Sequence, residues 1–322
     1  MICDTIHIYN VALTYLYGAL KGRASLKLLS DIHIRDPFVL TIASERKYYL
    51  YGTEGKTAWT GKPEGFDVYV SDDLHSWSGP LAAFRPDAAF WSDRHYWAPE
   101  VHEWKGKFYM FASFKSEQQP RATQILAAEH PQGPFVPHGK GPVTPASWEC
   151  LDGTLYVDQG GEPWMVFCHE WLQVKDGTMC AVRLKEDLTE SVGDVITLFS
   201  ASEAPWVRPV RGDDTYVTDG PYFHRSKTGE LLLLWSSFGD EGYAIGVARS
   251  SNGEITGSWI HEQEPVYQKD GGHGMLFRTL AGELLLSIHL PNKQPLERPC
   301  FFHVEDQGNT LHISVNKEEQ PC

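Results

Sequence analysis

The sequence predicts an all-β fold, a five-bladed β-propeller, and three observations carry that prediction. One unit recurs five times along the chain: a polar opening motif, a short apolar run, a turn rich in Gly, Lys or Glu, and a second apolar run. The copies follow one another at about 50–70 residues, the length of four short strands and their loops. No convincing amphipathic helical pattern interrupts the short strands and Gly-rich turns from residue 31 onward, which argues for β architecture throughout. A parallel β-helix would repeat at much shorter intervals, and a β-sandwich would not explain five similar units.

Residues 1–30 do not resemble the repeating units and read as a lead-in segment, with an apolar run at Val11–Leu20 that is helix or strand by its pattern. Residues 31–322 read as one propeller domain without an internal boundary. Blade one opens at Arg35-Asp36-Pro37 and returns through Tyr48–Tyr51. Blade two opens at Trp97-Ala98-Pro99-Glu100 and returns through Phe108–Phe111. Blade three opens at Leu151-Asp152-Gly153 and returns through Trp164–Phe167. Blade four opens at Thr218-Asp219-Gly220-Pro221 and returns through Leu231–Trp235. Blade five opens at Gly272-His273-Gly274 and returns through Leu284–Ile288. The aromatic residues Trp77, Phe135 and Trp259 come after third strands and read as packing between blades.

Composition narrows the partners. There are 42 acidic against 28 basic residues, a net charge of −14, which disfavours nucleic acid and anionic membranes because both need a basic footprint. A neutral sugar is compatible with that charge, and 11 Trp and 14 Tyr supply rings of the kind that line carbohydrate surfaces as well as cores. No apolar run approaches the roughly 20 residues that span a bilayer. The six cysteines are scattered without C-x-x-C spacing and read as buried or incidental thiols, with no zinc site or disulfide framework. The N-terminus lacks a basic stretch ahead of its apolar residues, so the expected location is cytoplasmic, or periplasmic or secreted if a leader has been removed.

Propeller geometry gives the opening motifs a meaning. Inner strands start at one face of the ring near its axis, so the residues just before them converge on one funnel. Asp36, Asp152 and Asp219 are expected there at equivalent positions, with the ends of second strands, including His169, Glu170 and His289, around the rim. Taken singly, an aspartate before Gly or Pro is turn chemistry. Three in one ring are the equipment for glycoside hydrolysis: one carboxylate activates water, one carboxylic acid protonates the leaving oxygen, and a third raises the acid's pKa. Arg35, if the strand is extended, points away from Asp36, which leaves Arg298 as the arginine expected to reach the pocket. Phe90, Trp91 and Trp97 precede or open blade two and are candidate stacking surfaces for a sugar, or plugs of the funnel floor.

Together, the motifs Arg35-Asp36-Pro37, Trp97-Ala98-Pro99-Glu100-Val101, Leu151-Asp152-Gly153, Val217-Thr218-Asp219-Gly220-Pro221 and Gly272-His273-Gly274 resemble glycoside hydrolase family 43 over roughly residues 31–315. The resemblance implies a five-bladed propeller and an inverting mechanism on pentose or related furanose sugars. It makes Asp36 the general base and Asp152 the aspartate that tunes the acid. Asp219 stands where the family has a glutamate as general acid. Arg298 looks like a late arginine that contacts the tuning aspartate or the sugar. His273 matches an axial histidine that in many members neighbours a metal, commonly calcium; no cofactor is required for the chemistry, and a structural calcium would be held mainly by water and backbone oxygens. Because aspartate is about 1.5 Å shorter in reach than glutamate, Glu170 is the alternative acid.

The expected function is therefore release of a terminal arabinofuranosyl, xylosyl or similar residue from plant-type or other polysaccharides. Terminal action rests on the long segment before Trp97, which would wall off one end of the groove. The alternative is a catalytically silent carbohydrate-binding propeller, and behind it a protein-interaction propeller.

Overall fold

The computed structural model describes residues 26–212 and 214–314. The run at Val11–Leu20 lies outside them, as do Cys3 and Cys322. Blade one comprises β1 (Ile34–Ile42), β2 (Lys47–Glu54), β3 (Phe66–Ser71) and β4 (Ser78–Phe84). Blade two comprises β5 (Arg94–Trp104), β6 (Lys107–Lys115), β7 (Ala122–Ala128) and β8 (Val136–Pro137). Blade three holds β9 (Cys150–Val157), β10 (Pro163–His169), β11 (Thr178–Leu184) and β12 (Ser191–Ser200), with a four-residue helix α1 (Trp171–Val174) after β10. Blade four holds β13 (Asp219–Arg225), β14 (Leu231–Gly239), β15 (Gly242–Ser250) and β16 (Trp259–His261). Blade five holds β17 (Gly272–Arg278), β18 (Leu284–Leu290), β19 (Arg298–Asp306) and β20 (Leu311–Ser314). Each blade is a four-stranded antiparallel meander built from one continuous segment. The expected architecture is the one found.

Burial follows position within the blade. Second strands are covered on both faces by neighbouring blades, so they read as continuous apolar runs instead of alternating; β14 is buried from Leu231 through Ser237. The outermost strand β12 is largely exposed and carries polar residues. Trp77, Phe135 and Trp259 are buried between blades, as expected. Cys150, Cys168 and Cys180 are free and buried, but Cys300 is disulfide-bonded, which corrects the reading of six incidental thiols.

One irregularity recurs in all five blades. Pairing between inner and second strands slips between Arg35 and Phe38, Trp97 and Glu100, Leu151 and Thr154, Asp219 and Tyr222, and Gly272 and Met275. The first residue within each slip is left-handed, with φ of 53° at Asp36, 46° at Ala98, 55° at Asp152, 49° at Gly220 and 52° at His273. These are five equivalent β-bulges, and a bulge re-aims side chains that a regular strand would alternate. Gly220 needs its glycine twice over, because a Cβ there would also stand 2.9 Å from the His273 ring.

The bulges correct the expected alignment. Asp36 and Asp152 are equivalent, as read from the sequence, but Asp219 lies one residue earlier, at the position of Arg35. The far end of the axial channel opens into a cavity of about 700 Å³ lined by Phe38, His102, Tyr222, His224, Met275 and Arg278 among others, away from the bulge residues.

Candidate active site

Asp36 is buried under a set of donors. Its Oδ2 accepts the Thr53 hydroxyl at 2.7 Å, and its Oδ1 lies 3.2 Å from His273 Nδ1 and 3.5 Å from Arg35 Nε. Burial alone would raise its pKa; His273 and Arg35, with smaller help from His289 and Thr53, outweigh burial and bring it down to about 2. His289 gives that help only when protonated, and burial lowers its pKa to about 3; as the neutral ring its Nδ1 accepts the Asp36 N–H at 3.2 Å and its Nε2 faces Asn292 Oδ1 at 3.2 Å. The local cations are thus His273, whose pKa is raised against burial by Asp36, Asp152 and other carboxylates, and Arg35.

Asp152 and Asp219 have the opposite surroundings. Burial raises the Asp219 pKa, the neighbouring Asp152 charge raises it further, and His273, the Tyr243 hydroxyl and Arg35 oppose without cancelling, leaving it at about 7. Tyr243 donates to Asp219 Oδ2 at 3.0 Å. Asp152 is raised less far, also by burial first; His273 and the Gly220 N–H, 2.9 Å from its Oδ2, favour its ionised form. Two carboxylates in this relation, Asp152 buried and Asp219 partly exposed, titrate as a pair and hold one proton between them near neutral pH. The site therefore offers an ionised carboxylate at Asp36 and a protonated one in the Asp152–Asp219 pair, the two states that acid–base hydrolysis needs.

Other expectations fare differently. Arg298 does not reach the pocket: its guanidinium bonds the carbonyls of Ser30, Pro295 and Glu297 and contacts His33 Nε2 at 2.9 Å. Arg35 does reach it, because the left-handed backbone at Asp36 breaks the alternation that was expected to turn it away. Its guanidinium also meets Glu297 Oε1 at 3.4 Å and Asn292 Oδ1 at 3.2 Å, and covers the Trp59 ring at 5.0 Å.

Glu170 is buried and engaged by the Arg121 guanidinium, which stacks 3.9 Å over Trp97 and contacts His95 Nδ1 at 2.9 Å. Phe90 and Trp91 stay partly exposed and pack against Phe114 at 5.0 and 6.3 Å, at the margin of the core. Trp97 stays next to the funnel, edge-on to the exposed Trp59 at 4.9 Å. His169 stacks on Trp148 at 4.1 Å and is held by Gln173 at 2.7 Å.

The Nδ1 edge of His273 offers a calcium ion no free set of oxygens. Calcium seeks six to eight oxygens, whereas the Nδ1 edge of this ring faces two carboxylates that favour its protonated form, and those carboxylates already accept N–H and O–H donors. Among the described residues no group of three or more His, Cys, Asp or Glu is arranged to hold a metal.

Sequence reasoning missed Thr53, Tyr243, Asn292, Glu297 and Trp59 as neighbours of the site, and gave His289 only a place on the rim. The sole local signal was that Thr53 and His289 lie at second-strand ends, where the rim was expected.

The family model for Glycosyl hydrolases family 43 matches residues 30–312. The chain is 24% identical over 293 residues to the extracellular exo-alpha-(1->5)-L-arabinofuranosidase ArbA of Cellvibrio japonicus, spanning 83% of this chain and 76% of that protein. It is 25% identical over 254 residues to a xylosidase/arabinosidase of Bacteroides ovatus, spanning 67% and 77% respectively. Among solved structures it matches an endo-arabinase from Bacteroides thetaiotaomicron at 38% identity with a TM-score of 0.79, covering 91% of this chain and 98% of that one.

Proposed function

This chain belongs to glycosyl hydrolase family 43 and is a glycosidase, and from that premise we propose that it hydrolyses pentose-linked glycans, arabinan foremost, with inversion at the anomeric carbon. Asp36 takes a proton from the attacking water, Asp219 gives one to the leaving glycosidic oxygen, and Asp152 keeps that proton on the acid until it is needed. The observation that carries this reading is one cluster in which Asp36 meets the Thr53 hydroxyl, His273 and Arg35 while Asp219 meets the Tyr243 hydroxyl beside a second carboxylate, surroundings that displace the two acids in opposite directions. Tyr243 orients the shorter acid. Glu170 ranks second as acid because Arg121 already engages it. The scheme requires no cation, so chelation with EDTA should leave turnover unchanged.

Release of a terminal pentose is the mode we propose, with Trp59 and Trp97 as the wall beside Arg35. Internal cleavage is the second reading, favoured by the name of the 38% identical endo-arabinase. Product analysis on debranched arabinan separates them: free arabinose as the first product supports terminal release, and early oligosaccharides with a rapid fall in viscosity support internal cleavage. The name of the Cellvibrio relative supports action outside the cytoplasm; fractionation of the native source tests that.

The test of the reading as a whole is turnover of aryl pentosides, aryl furanosides and arabinan by the wild type and by Asp36→Asn. Turnover lost in the variant supports it. Sugar binding with no turnover of any of these substrates makes the protein a binding propeller instead.

A further inference from the structure

Five backbone N–H groups meet the funnel at the five bulges, and four of them find an acceptor on the preceding blade. Asp36 N–H donates to His289 Nδ1 at 3.2 Å, Ala98 N–H to Thr53 Oγ1 at 2.7 Å, Asp152 N–H to Ser113 Oγ at 2.9 Å, and His273 N–H to Ser236 Oγ at 2.8 Å. The four acceptors occupy one equivalent place: they pair with Gly272, Arg35, Trp97 and Asp219, the residues just before the bulges. All four are fully buried. In blade three the equivalent residue is Cys168, paired with Leu151, and its thiol lies against Met179 Sδ at 4.0 Å. The fifth N–H, that of Gly220, goes instead to the Asp152 carboxylate at 2.9 Å.

We propose that this ring of inter-blade hydrogen bonds positions the catalytic carboxylates, with Thr53, Ser113, Ser236 and His289 as positioning residues, and that Cys168 is the gap that makes Asp152 itself the latch between blades three and four. The inference rests on the catalytic reading of Asp36, Asp152 and Asp219 given above. The bulge residues have left the regular ladder, so their N–H groups must find partners elsewhere, and a buried N–H without one is costly. Supplying the partner from the adjacent blade fixes the bulge of one sheet relative to the next, which sets the distance between carboxylates carried on different blades. Errors near 1 Å in such a constellation cost about 100-fold in rate. Thr53 shows the logic in one residue: its oxygen accepts from Ala98 of blade two while its proton goes to Asp36 Oδ2.

The experiment compares kcat and KM on an aryl arabinofuranoside for the wild type, Ser113→Ala, Ser113→Thr and Cys168→Ser. Ser113→Ala should lower kcat by roughly ten-fold or more, with KM within about two-fold, and Ser113→Thr should recover most of it because threonine already does this work in blade one. Cys168→Ser supplies the missing hydroxyl, draws the Gly220 N–H away from Asp152, and should lower kcat without raising KM. This variant adds no volume and keeps the test open where Ser113→Ala does not fold. An unchanged kcat in Ser113→Ala, or a threonine variant no better than alanine, overturns the proposal.

Amide hydrogen exchange gives a readout independent of turnover. Exchange at the Asp152 amide should accelerate in Ser113→Ala while the amides of β12 hold. Unchanged exchange overturns the ring; accelerated exchange in a protein whose wild type turns over nothing supports the ring and removes the catalytic reading alone.

Discussion

Asp36 and Asp219 lie in one pocket, both as aspartates on inner strands, yet the pocket treats them as different residues. Around Asp36 stand Arg35, His273 and the Thr53 hydroxyl, and burial is overruled. Around Asp219 a second carboxylate stands beside the Tyr243 hydroxyl, His273 and Arg35 oppose burial without cancelling it, and burial prevails. The difference teaches that, in the proposed scheme, residue type does not assign base and acid. The number of positive and hydrogen-bonding neighbours does, and the bulges set that number by deciding which of two consecutive side chains faces the axis.

The largest expected effect comes from removing the base end. Asp36→Asn should lower kcat by roughly 1,000-fold or more, measured on an aryl arabinofuranoside; a variant within ten-fold of wild type would erase the distinction between the two ends. The acid end should depend on the leaving group. Asp219→Asn should cost roughly 100-fold or more on arabinan and far less on an aryl glycoside whose leaving group needs no proton. Glu170→Gln should keep turnover on both, and the reverse pair of results would move the acid to Glu170.

A third prediction concerns pH, and its sign differs between the two ends. Asp219 has a raised pKa, so the native state keeps a proton that the unfolded chain has already lost. Its contribution to stability is therefore present at low pH and lost as pH rises from the ordinary carboxylate range through about 7. Asp36 has a depressed pKa, and its contribution is lost only as pH falls through about 2. Asp219→Asn should accordingly raise Tm relative to wild type at pH 8 more than at pH 5, by thermal unfolding at both; an equal change at the two pH values would mean that Asp219 does not titrate between them. Activity should fall on the alkaline side near pH 7, and Tyr243→Phe, which removes a donor to the ionised acid, should move that limb upward by about one unit or less.

The smallest effect is expected at Arg298. Arg298→Ala should leave kcat within about two-fold, as for an ordinary surface change, while Arg35→Met should weaken catalysis and raise the pH at which Asp36 must ionise. If Arg298→Ala were the more damaging, the correction drawn from its contacts would fail.

The blades were legible because each announces itself with a motif, a turn and a buried second strand, signals that lie within a few dozen residues. Asp36 and Asp152 were legible for the same reason, since an aspartate before Pro or Gly marks each turn into the sheet. Arg35 was misread because alternation along a strand is a rule for regular pairing, and nothing local in Ile34-Arg35-Asp36-Pro37 announces a bulge. The same slip put Asp219 at the wrong equivalent position. Phe90 and Trp91 were placed by closeness in sequence to Trp97; their packing against Phe114, which leaves both partly exposed, is a contact that local sequence does not encode. Asn292 and Glu297 reach the site from more than 250 residues away in the chain, a distance over which composition and periodicity carry no information, whereas His289 was placed on the rim by its second-strand end.

The left-handed backbone at the five bulges also limits how this pocket can drift or be redesigned. Gly, Asn, Asp and His tolerate that conformation best among the amino acids, and four of the five positions hold Asp36, Asp152, Gly220 and His273. Replacement by asparagine changes charge while leaving the backbone at ease, so it isolates chemistry. Replacement by a β-branched or long side chain at the same place mixes chemistry with strain. The accessible alphabet at these sites is thus narrow before any sugar is considered, and a library confined to it would explore altered function while sparing the scaffold.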